Sequence, residues 1–147
     1  MTDMPPVIPG VSMLAEDYDG FILDIWGVIH DGQALYPGVC DALNRLNDAG
    51  KSVVMLSNAP GRAQLVARML AGFGLPAAHC DAVVSSGEAT WRALRTRSDP
   101  WHAALGRRCY LMGARCDRSL LDDLDIDVGS AVTIAFKATA AHVIPHD

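Results

Sequence analysis

Short apolar runs alternate along this chain with segments whose apolar residues recur every three or four positions. The run Phe21-Ile22-Leu23-Asp24-Ile25 predicts a buried strand with one acid at its C-terminal end. Residues 52–56 (SVVML), 81–85 (DAVVS) and 108–112 (RCYLM) predict three more strands. Between them, Val39, Leu43 and Leu46 share one face of a helix that begins at Pro37 and stops at Gly50. A second helix, with Pro60 in its first turn, carries Leu65, Val66, Met69 and Leu70 and ends at Gly72 and Gly74. Residues 88–97 predict a third helix and 119–124 a short fourth. Residues 1–13 are Pro-rich and read as an irregular arm. Strands alternating with helices at this spacing predict an α/β fold with a mainly parallel sheet. Right-handed crossovers then bring the strand ends Asp24, Ser57 and Ser85 to one edge, where such folds bind ligands.

Composition narrows the function. The 147 residues are 50% hydrophobic and 20% charged, which suits one folded domain and not a disordered tail. The net charge of −5 argues against general nucleic-acid binding. Its distribution is uneven: residues 1–44 hold seven acids and no Lys or Arg, whereas residues 45–118 hold eleven basic residues and five acids. The basic stretch suits either an anionic small ligand or simply solvated helix faces. No basic leader and no apolar run of membrane-spanning length is visible, so a cytoplasmic protein without a membrane partner is expected. Cys40, Cys80, Cys109 and Cys116 form no CxxC pair and are expected to be reduced and buried.

Two places carry candidate chemistry. A carboxylate at the end of an apolar strand is costly unless paired, so Asp24 points to a cation, a phosphoryl group or a turn that it caps. Ser57-Asn58 ends the second strand just before a helix. Its hydroxyl and backbone N–H groups suit either a phosphate or a helix cap.

Taken together, DGFILDIWGVIHDG at 19–32 and VVMLSNAPGRA at 53–63 resemble the haloacid dehalogenase superfamily, and more narrowly its class IIA, NagD-like branch. The stretch Val84-Ser85-Ser86-Gly87-Glu88-Ala89-Thr90 is similar to that branch's third strand and following helix, and the resemblance covers residues 14–127. It implies a three-layer α/β/α Rossmann-like core, here incomplete, and a phosphatase acting on a small phosphorylated metabolite. Asp24 matches the nucleophile that takes the phosphoryl group as an aspartyl-phosphate. Asp24 and the backbone carbonyl of Trp26 match ligands of Mg²⁺. Ser57 and the backbone of Asn58 match the phosphate holders.

Two departures qualify what the resemblance implies. Trp26 stands where most phosphatases of the family carry Asp as general acid and base, a role indole cannot fill. His30 or Asp31 in the following flap is either a replacement or merely a solvated turn residue. Dehalogenase and phosphonatase members also lack that second Asp, which leaves C–halogen and C–P cleavage open. The other departure is at the C-terminal side. A cap, a strand-borne Lys and an acidic pair are expected beyond the third strand, and residues 128–147 match none of them. Lys137 has no strand pattern around it, Asp122-Asp123 reads as a solvated helix face, and His142, His146 and Asp147 form no closed ligand set. A truncated or frame-shifted product is expected, and with it an alternative function: an inactive pseudoenzyme that binds only phosphate or a protein partner. Without its usual neighbour the strand at 21–25 would be an apolar sheet edge, prone to self-association. Trp91 and Trp101, beside an Arg-rich helix, are expected in core or domain contacts and not in base stacking. Cys80 after His79 is expected to be an inert thiol.

Overall fold

The computed structural model describes residues 7–111 and 115–128. The predictions for Lys137, His142, His146 and Asp147 lie outside those residues. The main elements are β1 (Gly20–Asp24), α1 (Val39–Asp48), β2 (Ser52–Ser57), α2 (Ala63–Gly72), β3 (Ala82–Ser85), α3 (Ser86–Thr96), α4 (Pro100–Ala104), β4 (Arg108–Cys109) and β5 (Asp127–Val128). Short 3₁₀ turns lie at Val11–Met13, Ala77–His79 and Arg115–Leu121.

Parallel strands in the order β1-β2-β3 form the main sheet of an α/β, Rossmann-like fold. The register of β1 on β2 runs from Gly20 opposite Ser52 to Asp24 opposite Leu56. Partners in register project to the same face. Val53 and Met55 are therefore the floor of the core, both fully buried, and α1 packs on β2 with Leu43 and Leu46 inward. From α2, Val66 and Leu70 are buried, whereas Leu65 and Met69 of the predicted apolar set are 36% and 41% exposed. Asp81 ties β2 to the start of β3: its carboxylate accepts the Val53 N–H and its own N–H donates to the Val53 carbonyl, both at 2.8 Å.

The chain divides into two compact units, one of Met1–Ser57 with Gln64–Val84, the other of Asn58–Ala63 with Ser85–Asp147. The three-stranded sheet belongs almost wholly to the first. In the second, β4 and β5 form a separate parallel pair.

Several predicted elements are corrected. The first strand is not fully buried: β1 lies at an edge of its sheet among the described residues, and Ile22 is 73% exposed. The fourth run makes a strand of only two residues, outside the main sheet. The second helix begins at Ala63, after Pro60, because the Ala59 and Gly61 carbonyls are bonded to other groups, described below. The short helix predicted at 119–124 is the end of a 3₁₀ turn that stops at Leu121. Trp91 is buried as expected, but Trp101 is 66% exposed and lies outside the core. Cys40, Cys80 and Cys109 are free thiols as predicted, though half-buried, because each sits at the margin of its element. Burial pushes the Cys80 thiol up, with neighbouring Asp81 adding to it, which agrees with an inert thiol.

Candidate functional site

Asp24 ends β1 and Ser57 ends β2. The strands are parallel and Asp24 stands opposite Leu56, so the two side chains emerge at the same carboxyl edge, one residue apart in register. The Asp24 carboxylate is exposed, and its Oδ1 accepts the Ile25 N–H at 2.8 Å. That is the turn-capping arrangement allowed by the sequence, and it leaves Oδ2 toward solvent. Burial cost therefore does not explain an acid here. Ser57 is half-buried at the strand end.

The segment after Asp24 folds back as a compact flap. Ile25 is buried and its carbonyl accepts the Ile29 N–H at 2.8 Å. The Gly27 N–H donates to the His30 carbonyl at 2.9 Å, the Asp31 N–H to Ala34 at 3.1 Å and the Tyr36 N–H to Ile29 at 3.0 Å. Gly32 turns the chain at φ +97°, where a side chain would be strained, and a Cβ there would lie 3.5 Å from the Trp26 indole nitrogen. Trp26 itself is 68% exposed.

His30 is not a solvated turn residue. It is 3% exposed, with its ring 4.7 Å from that of Phe73, and its Nδ1 accepts the Gly32 N–H at 2.8 Å. The ring proton is therefore on Nε2, which is buried without a partner among the described residues. Asp31 is exposed, and its Oδ1 accepts the N–H groups of Gln33 and Ala34, each at 2.8 Å. Those two amides hold its carboxyl below the usual range, Ala34 most strongly.

Asn58 opens the second unit and is exposed. The loop it begins is gripped by the start of α3. The Gly87 N–H donates to the Ala59 carbonyl at 3.1 Å, and the Ser85 hydroxyl donates to the Gly61 carbonyl at 2.7 Å. Ser85 Oγ also caps α3 by accepting the Glu88 N–H at 3.1 Å. Glu88 accepts from Arg62 Nε at 2.7 Å and from the Ala63 N–H at 3.3 Å, while Arg92 donates to its other oxygen at 3.3 Å. The Arg62 bond is the main reason its carboxyl stays below the ordinary range. The Arg62 guanidinium lies 3.5 Å above the Trp91 ring, whose N–H donates to the Asp122 carbonyl at 2.8 Å. At Gly87 a Cβ would come within 1.9 Å of the Pro60 carbonyl oxygen. Sequence reasoning aligned this stretch with a family strand and helix but missed its work as a clamp. The signal was Ser-Ser-Gly-Glu at a strand-to-helix junction, a cap pattern with a glycine inside it.

Asp122 and Asp123 are exposed, as a solvated acidic face predicts. Among the described residues no three His, Cys, Asp or Glu side chains converge on a metal position. The site does offer hard oxygen donors, the Asp24 carboxylate and the Trp26 carbonyl, of the kind that Mg²⁺ takes alongside substrate phosphate and water. No helix of the described residues is long and apolar enough to cross a membrane.

A family model described as haloacid dehalogenase-like hydrolase matches residues 21–127. Among solved structures, a haloacid dehalogenase-like hydrolase from Brucella suis is 26% identical with a TM-score of 0.71, over 82% of this chain and 42% of its own. A 4-nitrophenylphosphatase from Thermotoga maritima is also 26% identical, with a TM-score of 0.64, over 88% of this chain and 49% of its own. A glycerol phosphate phosphatase from Mycobacterium tuberculosis, solved with magnesium, shares the fold at 19% identity and a TM-score of 0.56, over 78% of this chain and 33% of its own. The chain thus spans less than half the length of these structures. No curated protein sequence matches it.

Proposed function

The chain belongs to the haloacid dehalogenase-like hydrolases, and on that footing we propose that it carries the nucleophile half of a NagD-like phosphatase core. One observation carries the reading: Asp24 and Ser57 end adjacent parallel strands, an acid and a hydroxyl one register step apart. The substrate is a small phosphorylated metabolite, in keeping with relatives that are phosphatases of nitrophenyl phosphate and glycerol phosphate.

In this mechanism an Asp24 oxygen bonds to phosphorus as the bond from phosphorus to the ester oxygen breaks and that oxygen departs with the electron pair; water then cleaves the aspartyl-phosphate to free phosphate and the Asp24 carboxylate. The Ser57 hydroxyl and the Asn58 N–H hold the phosphate oxygens. Asp24 and the Trp26 carbonyl would hold Mg²⁺, which when bound offsets the repulsion between the carboxylate and the phosphate. The three unbridged cysteines among the described residues support a reducing, cytoplasmic setting.

Asp24→Asn tests the reading. In the Mg²⁺-supplemented full chain, turnover of an aryl phosphate should vanish with this change. Turnover that survives it removes Asp24 as nucleophile. A second reading is favoured by the exposed indole at position 26: a domain that binds phosphate without hydrolysing it. Saturable binding of inorganic phosphate with no turnover of any ester would select it.

A further inference from the structure

The flap after Asp24 bears three side chains that could assist proton transfer by position, and none is disposed to do so. The Trp26 indole N–H is far too weak an acid to give its proton to a departing oxygen. His30 carries its proton on a nitrogen buried among the described residues, with the other nitrogen committed to Gly32. Asp31 has an oxygen bound to two amides, so it is held as an acceptor, not as a donor. Proton assistance in such reactions typically contributes 10²–10⁴-fold. Without it from the flap, an alcohol leaves poorly, as an alkoxide, whereas a carboxylate leaves easily as the weak base it already is. For the water that would cleave the aspartyl-phosphate the flap offers little help: the indole at 26 takes no proton, and the two amides on Asp31 weaken its carboxylate as a base.

We propose that Asp24 accepts phosphoryl groups from acyl phosphates, the mixed anhydrides of carboxylic and phosphoric acid, and that its aspartyl-phosphate is long-lived. An Asp24 oxygen bonds to phosphorus as the bond from phosphorus to the acyl oxygen breaks. The electron pair stays on that oxygen, which departs as a carboxylate; no proton moves and nothing is oxidised or reduced. Turnover of any donor is then slow and limited by loss of the adduct, which stands as a phosphoryl store between turnovers. All of this rests on the reading of Asp24 as nucleophile.

The test incubates the full chain with MgCl₂ and either acetyl phosphate or glycerol phosphate, following intact mass and released phosphate. Acetyl phosphate should add one phosphoryl group, mapped to Asp24 and lost in Asp24→Asn, while glycerol phosphate adds none. Because the Trp26 side chain is mostly exposed, Trp26→Asp should fold normally and shorten the adduct's lifetime about 100-fold or more. Comparable phosphate release from both donors with no standing adduct, abolished by Asp24→Asn, overturns the store and keeps the nucleophile. No adduct and no release from either donor overturns both.

Discussion

At the scale of single residues, the tightest constraint is Gly87. Its N–H holds Ala59 and its missing Cβ makes room for the Pro60 carbonyl, so the loop after Ser57 rests directly on the α3 backbone. Gly87→Ala gains helix propensity of about 1 kcal/mol yet forces two stretches of backbone apart. A net loss of about 1–3 kcal/mol is expected, read as a lower urea midpoint. Glu88 acts on the same loop through charge. Its carboxyl lies below the ordinary range when folded, chiefly through Arg62, so its stabilisation is complete above the unfolded carboxylate value near 4.3. That contribution fades as pH falls through the lower folded value. Glu88→Gln should weaken stability at neutral pH and flatten its decline on acidification. An unchanged acid branch of the pH–stability curve would mean that Arg62 and Glu88 do not couple.

Elements were legible to the degree that local pattern decided them. β1, β2 and β3 were plain because apolar runs of four to six residues have few other outcomes, and α1 because Leu43 and Leu46 share a face. The start of α2 was misplaced because Pro60 suits a first helical turn, while Gly87 and Ser85 claim the neighbouring carbonyls instead. That contest is between residues distant in sequence, which no local pattern records. The site divides the same way. Asp24 and Ser57 follow from strand ends and motif, but the burial of His30 depends on Phe73, after α2. The apolar run at 21–25 predicts burial of every side chain but the acid, yet Ile22 lies on an uncovered face with Leu56, which is 47% exposed.

For the whole molecule, the feature that bears on behaviour in solution is β1 as an edge strand among the described residues. An apolar parallel strand with unpaired backbone groups tends to recruit another. The chain is expected to self-associate as its concentration rises, measured by light scattering, and Ile22→Lys should push association to higher concentration. A monodisperse monomer at high concentration would contradict this.

The three tryptophans occupy distinct optical environments. Trp26 and Trp101 face water, whereas Trp91 is 8% exposed beneath a guanidinium. Acrylamide should therefore quench two emitters readily and leave a shielded, blue-shifted remainder from Trp91. Trp26 stands two residues from Asp24, so its red-edge emission would offer a continuous optical readout of the phosphoryl transfer proposed there. The Trp91 component would separately register any loosening of the loop that Arg62 pins.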